Sequence, residues 1–162
     1  MDTQLLCMVV ERIEPVSDLT VGTIIYPRVA KMDERKQHIE HIFEDVRIEK
    51  FPHLPSRIDA VYVYPKSEHN YKSVWLYYKY SHNVTSYNLI EAEVEVVYWF
   101  DATYYNRITP MTPDNLIRDY AIKYWASLMS EDEFAYDKDV EGLCARAVVK
   151  SCVQEYYPGF IE

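Results

Sequence analysis

Glycine is scarce, with 3 in 162 residues. A phosphate-cradling loop needs several glycines close together, so neither a P-loop nor a dinucleotide fingerprint is present. The Gly-x-Ser-x-Gly elbow of hydrolases is absent as well. No stretch is rich enough in Pro, Gly and Ser to act as a flexible linker, and no fixed-period repeat occurs. One domain over residues 1–162 is expected. The three cysteines, Cys7, Cys144 and Cys152, form no paired spacing. That excludes a disulfide framework and suits a reducing compartment. All three fall in apolar, strand-like runs, where thiols are usually inert core groups.

Other absences narrow the function. His38, His41, His53, His69 and His82 are scattered without zinc-finger spacing, and the i, i+3 pair His38 and His41 alone does not make a metal site. No apolar run approaches the ~20 residues of a membrane-spanning helix. No basic region followed by an apolar stretch reads as a signal peptide. A soluble, cytoplasmic protein without a membrane partner is expected. The net charge is −9 and no basic stripe exists. This argues against a generic nucleic-acid coat and against anionic membrane surfaces.

What is present is a 49% apolar chain with 16 tyrosines. Leu5–Ile13 reads as a buried strand. Asp18 and Gly22 bracket a turn, with a short extended piece over Thr23–Tyr26. Lys31–Glu49 has helical periodicity, with Ile39, Ile42, Phe43 and Val46 on one face. Phe51–Arg57 carries two prolines and enters a strand over Ile58–Tyr64. Pro65–Ser73 reads as a hairpin connection to an aromatic strand, Val74–Tyr80. Leu89–Trp99 is the clearest strand, with Glu91, Glu93 and Glu95 alternating with Ala92, Val94 and Val96. Asp101–Arg107 reads as a short helix or loop. Thr112-Pro113 starts a helix with a hydroxyl cap and runs through Ile117, Tyr120, Tyr124 and Leu128. Ser130–Asp139 reads as an acidic loop, and Cys144–Gln154 as the final strand. The order predicts an α+β fold with a mostly antiparallel sheet and segregated helices.

Two local features carry candidate chemistry. Pro55-Ser56-Arg57 is a rigid loop that presents a hydroxyl and a guanidinium, a pair suited to phosphate or ribose. The plain alternative is an arginine tied to the acidic helix before it. Glu141, in Val140-Glu141-Gly142-Leu143, stands before the last strand, where a carboxylate can stabilise a developing cation. Its plain alternative is a solvent-exposed glutamate. The many tyrosines invite base stacking, but most lie at strand-like positions where tyrosine is favoured for packing.

Three segments resemble a family of small bacterial and phage proteins with an ADP-ribosyltransferase-like fold, and more distantly the DNA-modifying DarT toxins. They are Cys7–Ile13 with Leu19–Ile25; Val46–Arg57, which has the form R-x-x-x-F-P-x-x-P-S-R; and Ala121–Trp125 followed by Glu141-Gly142-Leu143 and Ala147–Val149. The resemblance implies a split sheet around a cleft for NAD. It implies Glu141 as the catalytic carboxylate, Ser56 and Arg57 as cofactor contacts, and Tyr62 or Tyr64 stacked on nicotinamide. Cleavage of the nicotinamide–ribose bond has oxocarbenium character, and ADP-ribose would pass to a protein, RNA or DNA acceptor. One departure stands out. The family's first strand often carries a ribose-binding histidine, and Val9 occupies that place. The resemblance therefore also admits an inactive accessory or inhibitor protein of phage type, which binds a host protein or a toxin.

Overall fold

A computed structural model describes residues 5–12, 20–27, 32–65, 87–134 and 139–152. The elements are β1 (Leu5–Arg12), β2 (Ile24–Ile25), α1 (Glu34–Lys50), β3 (Val61–Pro65), β4 (Tyr87–Val94) and β5 (Tyr98–Asp101). They continue with α2 (Thr103–Asn106), α3 (Asp114–Trp125), β6 (Val140–Cys144) and β7 (Ala147–Cys152). A short 3-10 turn spans Glu131–Glu133. Every described strand pairing is antiparallel, in the order β2-β7-β4-β1-β3-β6-β5. The α+β class and the antiparallel sheet expected from sequence are thus present. The two strand groups β2-β7-β4-β1 and β3-β6-β5 meet over three register pairs, Cys7↔Pro65, Met8↔Tyr64 and Val9↔Val63. Val9 sits mid-strand, opposite Val63 on one side and Ile90 on the other.

Helix α1 forms where the apolar spacing places it. Asp33 caps it by accepting from the Lys36 N–H at 2.8 Å. Glu34 in the first turn and Arg47 and Lys50 in the last turn complement the helix dipole. It ends at Phe51, because Pro52 lacks the N–H that another turn would need. Ile39, Phe43 and Val46 are buried against the sheet and α3. Helix α3 adds Ile117, Ala121, Tyr124 and Trp125. The Trp125 indole N–H donates to the Phe43 carbonyl at 2.9 Å and locks the two helices together. Each fully buried aromatic of this layer contributes about 2–3 kcal/mol through area removed from water.

The structure corrects several expectations. Leu89–Trp99 is not one strand: the chain breaks at Glu95–Val97, and β5 departs to the far edge of the sheet. Alternation continues through the break, but Val96 is 62% exposed, so its period signalled no continuous pairing. The closing strand expected from Cys144 begins only at Ala147, as β7, and an unexpected strand, β6, precedes it, the two divided at Ala145-Arg146. Glu141 consequently lies inside β6, paired with Phe100, rather than at the entrance of a strand. The Thr112 hydroxyl does not cap α3. It accepts from the Thr109 N–H at 2.8 Å, and Pro113 holds the cap position without a side-chain bond. Leu128 lies beyond the end of α3 and is exposed. The strand over Ile58–Tyr64 starts only at Val61, because residues 57–59 turn.

Two glycines are required by geometry. Gly22 has φ +92° in the turn before β2, and its N–H donates to the Val149 carbonyl at 2.8 Å. At Gly142 a Cβ would stand 2.5 Å from Val97 and 2.7 Å from Trp99, so those side chains lie directly on the bare backbone of β6. Asp18, the strand Val74–Tyr80, and all but Pro65 of the hairpin Pro65–Ser73 fall outside the described residues. Among the described residues, no helix is long and apolar enough to cross a membrane.

Candidate functional site: a buried arginine between two carboxylates

The loop between α1 and β3 is fastened before it reaches its functional candidates. Arg47, in the last turn of α1, pairs with Glu44 at 2.6 Å and donates to the Leu54 carbonyl at 2.9 Å. Ser56 Oγ donates to the same Glu44 at 2.8 Å and accepts from the Ile58 N–H at 3.2 Å. The Arg47 bond holds the Glu44 carboxyl below the ordinary carboxylate range, and burial only partly offsets it. The Glu44 bond in turn raises Arg47. The R-x-x-x-F-P-x-x-P-S-R pattern thus encodes a clamp, in which the first arginine and the serine grip one glutamate.

Held this way, the loop drives Arg57 into the core. Arg57 is 6% exposed. Its Nε and Nη2 donate to Glu40 at 3.1 Å, and its Nη1 donates to Glu141 and, at 2.8 Å, to the Tyr124 hydroxyl. The Tyr124 hydroxyl in turn donates to Glu141 Oε1 at 2.6 Å. The Tyr62 hydroxyl donates to the Arg57 carbonyl at 2.5 Å. Rings surround the guanidinium, with centroids at 4.2 Å for Tyr105, 4.9 Å for Tyr124, 5.3 Å for Tyr62 and 5.5 Å for Phe43. A desolvated cation over aromatic faces gains about 2 kcal/mol from such contacts.

The electrostatics follow from the enclosure. Burial opposes the charge on Arg57, but Tyr62, Tyr124, Glu141 and Glu40 outweigh it and hold the guanidinium protonated. Burial, and then neighbouring carboxylates, push Tyr124 and Tyr105 up, so both remain neutral donors. Burial raises Tyr62 as well, although Arg57 pulls the other way. One cation faces two carboxylates here, and the hydroxyl of Tyr124 satisfies part of the surplus acceptor capacity.

The sequence-derived candidates are brought together in part. Arg57, Glu141 and Tyr62 converge. Ser56 is adjacent, but its hydroxyl is spent on Glu44. Tyr64 is half-buried, shares the Tyr62 side of β3 and stands opposite Met8 of β1. The plain alternative for Arg57, an arginine tied to the acidic helix before it, is what the structure contains, through Glu40. The plain alternative for Glu141, an exposed glutamate, is not: it is 7% exposed. Glu40, Tyr105 and Tyr124 were not singled out by sequence. The signal for Glu40 lay in Glu40, Glu44 and Arg47 at i, i+4 and i+7, a polar stripe beside the apolar one. A cavity of about 440 Å³ lies elsewhere, and none of the expected site residues lines it. His38 bonds Asp114 at 2.8 Å across α1 and α3 on the exposed surface. Among the described residues no three His, Cys, Asp or Glu side chains gather as a metal set. Cys144 is buried, and burial pushes its thiol up to about 11, as expected of an inert core cysteine.

A comparison with curated proteins finds no match to the chain. The model of the family described as "Protein of unknown function (DUF2441)" matches residues 23–142, a span that includes Ser56, Arg57, Tyr62, Tyr64 and Glu141. That span is well over half of the chain, and the chain belongs to this family.

Proposed function

We infer that this protein is a binding module on an ADP-ribosyltransferase-like fold, acting as an accessory or inhibitor of a host protein or toxin rather than turning over NAD. The carrying observation is the enclosure of Glu141, whose Oε1 is shared by Arg57 and Tyr124 at 7% exposure. A carboxylate that stabilises an oxocarbenium ion must face the sugar. This one faces a guanidinium. Freeing it breaks a buried ion pair, at a cost of about 3–5 kcal/mol. Val9 in place of a ribose-binding histidine supports the same reading. The net charge of −9 favours a basic protein partner, because complementary charge speeds encounter and selects partners. The antiparallel α+β sheet and the order of the three resembling segments support the fold assignment.

A second reading rests on the convergence of Arg57, Glu141 and Tyr62. Under it, the cluster opens to admit NAD, Arg57 and Ser56 hold the cofactor, Tyr62 or Tyr64 stacks on nicotinamide, and Glu141 steadies the ribosyl cation. Calorimetric titration with NAD, followed by a turnover assay, separates the two readings. The binding-module reading expects no heat and no nicotinamide release. Heat that Glu141→Gln abolishes would overturn it in favour of the transferase.

A further inference from the structure

The Arg57 cluster is enclosed, yet one of its walls stands on a short element. Of the four rings around the guanidinium, Phe43 and Tyr124 are fully buried, while Tyr62 and Tyr105 are half-buried. The solvent side of the cluster is therefore the side that Tyr62 and Tyr105 cover. Tyr62 is fixed there. It sits in β3 opposite Leu143 of β6, and its hydroxyl donates to the Arg57 carbonyl. Tyr105 belongs instead to α2, a single turn of four residues, none of them buried. Its ring is the closest of the four to the guanidinium, at 4.2 Å, and it also meets the Phe43 ring at 5.3 Å.

The bonds that hold α2 are local and polar. Its cap residue, Ala102, supplies no side-chain bond. The Asp101 carboxylate accepts from the Thr103 N–H at 3.0 Å, and the Ala102 N–H donates to the Asp139 carbonyl at 2.6 Å. The Thr103 hydroxyl accepts from the Asp139 N–H at 3.3 Å, and Asn106 Nδ2 donates to the Asp139 carboxylate at 3.0 Å. These last two are exposed, so water competes for each partner. Firm anchors stand on either side. Before α2, β5 is paired in the sheet, and after it Arg35 holds the Thr109 and Thr112 carbonyls at 3.0 and 2.8 Å. A turn strung between two anchors by exposed bonds belongs to the low-stability end of local opening. Its outward swing removes one ring from Arg57 and leaves both ion pairs intact. Opening from β3, α1 or α3 would instead break strand pairing or the bonds of Glu40 and Tyr124.

We propose that α2 is a lid on the Arg57 cluster, with Tyr105 as its plug, and that its opening uncovers the guanidinium face while Glu40 and Glu141 stay paired to it. The lid rests on the cluster being the working site, but not on which reading of Glu141 holds, so the titration with NAD and the test of the lid fail separately. Nitration by tetranitromethane at pH 8, mapped by peptide, follows the opening, because the reagent attacks ionised phenols that meet solvent. Burial and Glu40 keep the closed Tyr105 neutral. Tyr26, 58% exposed, gives the fast limit, and the fully buried Tyr124 gives the rate of global unfolding. Tyr105 is expected to react about tenfold or more faster than Tyr124, as local opening outpaces global unfolding. Asn106→Ala removes the exposed tie to Asp139 and is expected to speed Tyr105 about fivefold, the loss of one hydrogen bond, with Tyr124 unchanged. In the same variant the Arg57 Nε–H, followed by NMR, is expected to exchange faster with solvent, which fraying of α2 away from the cluster would not cause. Tyr105 reacting no faster than Tyr124, or Arg57 exchange unchanged while Tyr105 speeds up, would each overturn the proposal. If Asn106→Ala unfolds, Tyr124 reacts as well, and the comparison of Tyr105 with Tyr124 in the unaltered chain decides alone.

Discussion

On the helix-covered side of the sheet, Phe43, Tyr124, Trp125, Phe100 and Leu143 pack around Arg57 and its two carboxylates. On the other side, Val61, Val63, Ile90, Ala92, Val94 and Val149 meet across both strand groups. Among the described residues, the ion pairs buried in the protein lie on the helix side alone; Lys150–Glu93 and Arg146–Glu95 are partly exposed. An apolar layer asks for volume and tolerates small shifts of its parts. A guanidinium with fixed donor directions does not. Arg57 ties α1 through Glu40, α3 through Tyr124 and β6 through Glu141, so it sets the position of three elements at once. The stripe of apolar residues buries the helices, and the arginine adds directional bonds that join them to the sheet.

That contrast can be broken by mutation. The largest effect is expected from Arg57→Met, which leaves Glu40 and Glu141 buried without their cation. Urea unfolding should show a loss of about 3–5 kcal/mol. On the apolar side, Gly142→Ala places a methyl group against Val97 and Trp99. Overpacking of this kind costs about 1–3 kcal/mol, read in the same assay. Tyr124→Phe removes the hydroxyl that accepts from Arg57 and donates to Glu141, with an expected loss of about 1–3 kcal/mol. A loss as small as that of an exposed tyrosine would show that the bridge is idle.

The smallest effect concerns the clamp outside the core. Glu44 has a lowered folded-state pKa because of Arg47. Its contribution is therefore present above the ordinary value of 4.5 and is lost as pH falls through the lower folded-state value. Unfolding curves taken downward from pH 6 should show that Glu44→Gln has less stability to lose in this window than the unaltered chain. Parallel slopes would mean that the clamp contributes nothing. Cys144 sharpens the picture of the apolar side. With its thiol raised to about 11 by burial, mass mapping after iodoacetamide treatment at pH 8 should find it unmodified in the folded chain and modified in urea.

How much of this was legible follows the same division. The apolar stripe Ile39, Phe43 and Val46 was readable, because helical spacing and burial agree there. So were β1, β2 and the α+β class. The break at Glu95–Val97 was not, since alternation continues through it and only pairing partners distant in sequence decide where a strand turns. Arg57 and Glu141 stood out in the sequence, one in a proline-flanked loop and the other just ahead of the expected last strand. Their joining was invisible, because the contact spans 84 residues of sequence. Glu40 was missed for a different reason. A glutamate on an amphipathic helix ordinarily belongs to the wet face, and only a cation arriving from elsewhere makes it a core residue.

The most direct test of the enclosed arginine sets the triple variant Glu40→Gln, Arg57→Met, Glu141→Gln beside Arg57→Met alone in urea unfolding. With both carboxylates neutralised, most of the stability lost by the single change should return, because the penalty comes from unpaired buried charge. A triple variant less stable than Arg57→Met would contradict the account, since the two glutamates would then be holding the fold without needing their cation.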